Sequence, residues 1–142
     1  MVRVVLDTNV VVSAYLVPTG KPAWILSLAR QGKIVICLSE EILEEIKRTL
    51  LRPKLQKIHK ATPQEIDRFL RAFAEVVDLV PGTTEVDEVD ADPDDNKILA
   101  CALEGKADFV VSGDHHLTDI GSFGAIRIVK PDAFLEIMAG KP

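Results

Sequence analysis

Acidic side chains stand at points where a fold could gather them. Asp7 closes the β-branched run Val2–Leu6, and Asp114 stands two residues after Ser112, beyond a second such run. Glu41 and Glu45 lie four residues apart, so one helix face holds both, and Asp94 and Asp95 directly follow Pro93. Carboxylates brought together without counter-charge repel one another and raise each other's pKa. A divalent cation removes that conflict. Mg2+ (or Mn2+) prefers carboxylate oxygens and water, and two such ions about 3.5–4 Å apart can stabilise an in-line displacement at phosphorus. Metal-assisted hydrolysis of a phosphodiester is the chemistry this set could perform. A single Asp at a strand end or in a first helical turn also serves as an ordinary cap. The conjunction of acids from separate segments carries the reading.

The segments around these acids must put them on one edge. Residues 2–6, 34–38, 108–112 and 125–129 read as short buried strands, apolar on both faces. Asp7-Thr8-Asn9 reads as a polar turn after the first. Helices are predicted from Pro22 to Gly32, and from Ser39 as N-cap through Leu50, with Ile42, Leu43, Ile46 and Leu50 on the apolar stripe. Thr62, Pro63 and Glu65 form a capping-box start for a helix to about Val77, ended by Pro81-Gly82. Pro93 opens another through Ala102 or Leu103, with Gly105 as its stop, and Pro131 opens the last. This alternation predicts a single α/β domain over 1–142, a doubly wound parallel sheet flanked by helices. Ligands of such sheets bind beyond the carboxyl ends of the strands, where Asp7 and Asp114 would lie.

Composition agrees with one globular domain. The 142 residues include 17 Lys+Arg and 22 Asp+Glu, a net charge of −5, with 47% hydrophobic and 27% charged residues. That balance excludes a disordered chain, a collagen-like repeat and a disulfide scaffold. No apolar run reaches the roughly 18–20 residues needed to span a bilayer. Asp7 and Asn9 interrupt the stretch a signal peptide would need, so the expectation is a cytoplasmic protein with no membrane association. Cys37 and Cys101 sit in apolar segments without a Cys or His at ligand spacing, and read as buried small hydrophobes in a reducing compartment.

Positive charge is concentrated. Residues 47–60 hold Lys47, Arg48, Arg52, Lys54, Lys57, Lys60 and His59, and no acid. The run starts on the helix of Glu45, so a phosphate backbone held by Lys47, Arg48, Arg52 and Lys54 would lead into the acids. A solvated helical face with Leu50, Leu51, Leu55 and Ile58 inward is the plainer account, and both can hold. His115 and His116 read as a solvated turn with their rings on different sides, and Tyr15 and Trp24 as core or dimer surface. The stretch from Glu85 to Asp95 has seven acids in eleven residues, its early part expected as a solvated loop.

Taken in order, Val5-Leu6-Asp7-Thr8-Asn9, Ser39-Glu-Glu-Ile-Leu-Glu-Glu45-Ile46, Asp92-Pro-Asp-Asp95-Asn-Lys-Ile98 and Val111-Ser-Gly-Asp114 resemble the four acidic motifs of PIN domains. The likeness spans about residues 3–135 and is greatest to bacterial and archaeal toxins of toxin–antitoxin pairs, relatives of VapC-type toxins. It implies Asp7 as the first metal-binding Asp and Asn9 as the polar residue that follows it. It implies Glu45 as the helical acid, ahead of an aliphatic residue and six after Ser39, with Glu41 and Glu44 as rivals. Asp95 is implied over Asp92 and Asp94 because it stands three residues before Ile98, and Asp114 is implied as the fourth acid, Ser112 taking the place of the usual Thr or Ser. The activity implied is a Mg2+- or Mn2+-dependent endoribonuclease cutting RNA, a homodimer neutralised by a small antitoxin. Asp7, Glu45, Asp95 and Asp114 would be catalytic and metal-binding, with Asn9 and Ser112 facing substrate. A non-catalytic PIN-like scaffold for RNA or protein is the alternative. A phospho-accepting receiver domain would share the fold and a Lys such as Lys130 after a late strand, but the acidic pair it needs after the first strand is missing.

Overall fold

A computed structural model of the chain describes residues 1–84, 86 and 93–140. The acidic loop expected before Pro93, with Asp92, lies outside the described residues. Among the described residues six strands form the sheet: β1 (Val2–Leu6), β2 (Ile34–Ser39), β3 (Asp78–Val80), β4 (Phe109–Val111), β5 (Ser122–Phe123) and β6 (Ile126–Val129). The helices are α1 (Thr8–Leu16), α2 (Lys21–Arg30), α3 (Glu40–Leu50), α4 (Pro53–His59), α5 (Pro63–Val76), α6 (Pro93–Glu104), α7 (His115–Thr118) and α8 (Pro131–Ala139).

The strand order is β3-β2-β1-β4-β6-β5, parallel throughout except for β5, which pairs antiparallel with β6. Chain order runs outward from β1 to β2 and β3, then returns to β4 on the other side of β1. This reversal is the switch point at which open parallel sheets bind ligands. α1 packs against α2 and α3, while α6 packs against β1, β2 and β4. The sheet itself is built from β-branched residues buried on both sides, including Val4, Val5, Ile36, Val110 and Val111. Arg3 arches beneath β2, pairing with Asp78 at the start of β3 and donating from Nε to the Gly105 carbonyl at 2.6 Å.

Capping signals are realised as read. Ser39 Oγ accepts from the Ile42 N–H, and Thr62 and Glu65 form the reciprocal capping box. Glu40 and Glu41 lie in the first turn of α3 and Lys47 and Arg48 in its last, matching the helix dipole.

Other segments differ from expectation. The predicted turn after β1 is the start of a helix: Asp7 caps α1, which buries Val10, Val11 and Val12 despite their β-branched side chains. Core burial outweighs helix propensity there. Residues 47–60 are not one helix, because Pro53 starts α4 anew, and Ile58, expected inward, is 62% exposed. The third strand is shorter than 108–112. Two short edge strands, β3 and β5, carried too few residues to be read, the second closing a tight hairpin on β6 in which Gly124 has φ 60°.

Candidate active site and metal centre

Register sets the first pair of acids side by side. Leu6 pairs with Val111 across β1 and β4, so the residues beyond them leave the sheet at the same level. The Asp7 N–H donates to the Val111 carbonyl at 3.0 Å. Ser112 follows on the β4 side, fully buried, and its hydroxyl donates to Asp7 Oδ2 at 2.8 Å while accepting from the Asp114 N–H at 2.9 Å. One hydroxyl therefore fixes Asp7 and the backbone of Asp114 relative to each other. Ser112, expected at the substrate, is buried and makes both of these hydrogen bonds. Asp114 caps α7, its Oδ1 accepting from the His116 N–H at 2.9 Å.

Glu45 enters from α3. Burial pushes its carboxyl up from the ordinary carboxylate value, and the charges of Asp94 and Asp7 push it further. Thr8 and Lys97 act in the opposite direction. The Thr8 hydroxyl is buried near enough to favour the charged Glu45, yet makes no hydrogen bond of good geometry among the described residues. Three separate segments thus place charge in one small volume: Asp7 after β1, Glu45 midway along α3, and Asp94 in the first turn of α6. Asp95, on that same turn, is only 4% exposed.

The rival acids are occupied or turned outward. Glu41 Oε1 lies 2.8 Å from Lys97 Nζ, which also approaches Asp94 Oδ1 at 3.6 Å, and Glu44 is exposed. Lys97 is a cation at the rim of the acids that sequence reading did not single out. Its position one turn after Asp94 was visible, but its bridge to α3 depends on helix packing. Thr8 was likewise absorbed into an assumed turn.

The residues expected at the substrate are scattered in role. Asn9 is exposed on the first turn of α1. Arg48, Arg52 and Lys54 are exposed along α3 and α4, while Lys47 is paired with Asp67 of α5 at 3.2 Å. His115 and His116, expected to diverge, lie with ring centroids 4.2 Å apart and planes at 35°. Tyr15 packs edge-on to Phe69 and His59, whereas Trp24 is 61% exposed. Both cysteines are free and buried as expected.

The donor set is chemically coherent with a hard divalent cation. All its members are oxygens, one carboxyl is raised by burial and then by its neighbours' charge, and a buried hydroxyl beside it is left without a well-placed partner among the described residues. The family model for the PIN domain matches residues 3–116, a span that contains every one of these acids. The chain belongs to the PIN-domain family. It is 39% identical over 119 residues to the uncharacterised protein MJ1680 of Methanocaldococcus jannaschii, covering 84% of this chain and 75% of that one. Its fold matches that of a chain in the crystal structure of VapBC2 from Rickettsia felis bound to a DNA fragment from their promoter. That match has a TM-score of 0.64 and 15% identity, and covers 89% of this chain and 96% of the other. The PIN fold thus accounts for the sheet order and for the acids at its switch point. Among the described residues no helix is long and apolar enough to cross a membrane.

Proposed function

We propose that this PIN domain is a Mg2+- or Mn2+-dependent endoribonuclease acting in the cytoplasm, the toxin of a toxin–antitoxin pair. The observation that carries the reading is the meeting at the switch point of Asp7 and Asp114, tied through Ser112, beside Glu45 of α3, whose carboxyl burial and the charges of Asp94 and Asp7 hold up. Carboxylates gathered at a sheet switch point, with Lys97 the cation at their rim, are a donor set that a cation-dependent phosphodiesterase requires. PIN membership supports a nuclease, and a divalent metal, at the level of the family.

Asp7, Glu45, Asp95 and Asp114 would hold the ion. When bound, it lowers the pKa of an attacking water and neutralises charge developing on the phosphate oxygens. The chain supplies the rest. Ser112 keeps Asp7 and Asp114 in register, and burial of Asp95 restricts its rotamers. Asn9 stands exposed two residues after Asp7, where it can donate to the substrate backbone. Arg48, Arg52 and Lys54 offer exposed positive charge on the helices that follow Glu45, suited to neighbouring phosphates. Lys47 reaches a phosphate only by leaving Asp67.

A protein partner has separate support. At the far end of α1 from Asp7 lies an apolar hollow of about 320 Å³, lined by Tyr15, Leu26, Phe69, Phe73 and Val76, with Arg30 at it. Trp24 and Val17 are exposed apolar groups on the same helices and the turn between them. Such surface suits an antitoxin or a second copy in a homodimer.

The test is cleavage of labelled single-stranded RNA by full chain with Mn2+, against EDTA, beside Asp7→Asn protein purified identically. Metal-dependent cutting by wild type, reduced roughly 100-fold or more in the variant, is expected. Equal cutting by both proteins would defeat the reading.

A further inference from the structure

We propose that Asp114, His115 and His116 form a binding site for a borderline divalent cation of the Zn2+ class, facing solvent beside the carboxylate cluster. One donor atom from each residue, a carboxylate oxygen and two imidazole nitrogens, lies within 4.8 Å of the other two. Successive residues on a helix point about 100° apart, so neighbouring imidazoles ordinarily diverge. Here the rings converge to a 4.2 Å centroid separation, and both are exposed.

Zn2+ binds imidazole nitrogen at about 2.0–2.1 Å and carboxylate oxygen at about 2.0–2.2 Å, so tetrahedral donors stand roughly 3.3 Å apart. Exposed rings close the remaining distance by small rotations about their side-chain bonds. The backbone beneath them is held in place: the Asp114 N–H bonds to Ser112, and Asp114 Oδ1 accepts from the His116 N–H. Three protein ligands leave a fourth position for water, as in open zinc sites.

Competing donors are committed elsewhere. His59, the third histidine, has Nε2 bonded to the Leu50 carbonyl at 2.9 Å and Nδ1 accepting from the Ala61 N–H at 2.9 Å. Cys37 and Cys101 are buried, with Cys101 pushed up to about 12 and Cys37 raised by desolvation. Asp114 is shared with the proposed oxygen donors Asp7, Glu45 and Asp95, and the two imidazole nitrogens distinguish this site from that set chemically. Imidazole suits Zn2+, Cu2+ and Ni2+, whereas carboxylate and water suit Mg2+ and Mn2+.

The inference goes beyond the nuclease reading and does not depend on it. EDTA-stripped full chain would be titrated with Zn2+ by calorimetry in millimolar Mg2+. One Zn2+ per chain is expected, weakened roughly tenfold or more by His115→Ala and by His116→Ala, and retained by Asp7→Asn. In wild-type protein, the ring resonances of His115 and His116 should respond to stoichiometric Zn2+ while those of His59 stay put. Absence of binding, affinity unchanged in the double His variant, or a response confined to His59 would overturn the site. Loss of RNA cleavage in Asp7→Asn with Zn2+ binding intact keeps the two readings apart.

Discussion

Ionising Glu45 is harder in the folded chain than in the unfolded one, because burial and the charges of Asp94 and Asp7 hold its pKa up. Between the ordinary glutamate value and the raised one, the folded chain keeps a proton that the unfolded chain has lost. Stability therefore falls as pH rises through that window. Glu45→Gln removes the charge, so in EDTA at neutral pH its Tm should exceed that of wild type. The gap should close as pH drops below the ordinary glutamate value, and thermal melts across pH check it. Equal melting at every pH would mean that the carboxyl does not feel its neighbours. Ser112 offers a second test at this scale. Ser112→Ala leaves every acid in place but frees Asp7 from the Asp114 backbone. Cleavage should drop about 10–100-fold, as for loss of an outer-shell partner, with circular dichroism unchanged.

Helices and strands position these residues through close contacts that single substitutions can probe. Gly105 follows α6 where a Cβ would stand 2.8 Å from Cys37 Cβ and 3.0 Å from its Sγ. Gly105→Ala should cost about 1–3 kcal/mol in urea unfolding, the range for overpacking a core. Gly105, read as the stop of that helix, is followed by Lys106 in the left-handed conformation, with φ 50°. Elements with local chemical signals were legible: Ser39, Thr62-Pro63-Gln64-Glu65 and Pro93 mark α3, α5 and α6 because caps are sequence-local. α1 was not, because Thr8 and the Val10–Val12 run favour turn and strand until the core claims them. β3 and β5 have too few residues for any periodicity. For the site, strand ends foretold that Asp7 and Asp114 would lie on one edge; that Ser112 joins them by two hydrogen bonds was not read from the sequence. The Lys97 bridge to Glu41 and the convergence of His115 on His116 depend on helix packing and rotamers, which spacing does not encode.

At the scale of the molecule, the net charge of −5 coexists with an exposed cationic stretch over α3 and α4, so overall acidity does not forbid a polyanion partner. The core is closed to solvent around its two thiols. Cys37 and Cys101 are both raised by desolvation, Cys101 to about 12, and neither thiol forms a disulfide. Native protein at pH 8 should give no reaction with a thiol reagent, and both groups should react in urea; rapid labelling of native chain would indicate an open core.

β1 is central in the sheet, yet its two neighbours are made at different times: β2 soon after it, β4 only at Phe109–Val111. During synthesis, a ribosome that has released the chain through α5 has exposed Asp7 and Glu45 with one flank of β1 still open. Ser112 and Asp114 have not yet emerged. The acidic pocket is therefore assembled last, when the strand bearing its second half slots in beside the first. A chain of this design cannot complete its acidic pocket until β4 has emerged and paired with β1.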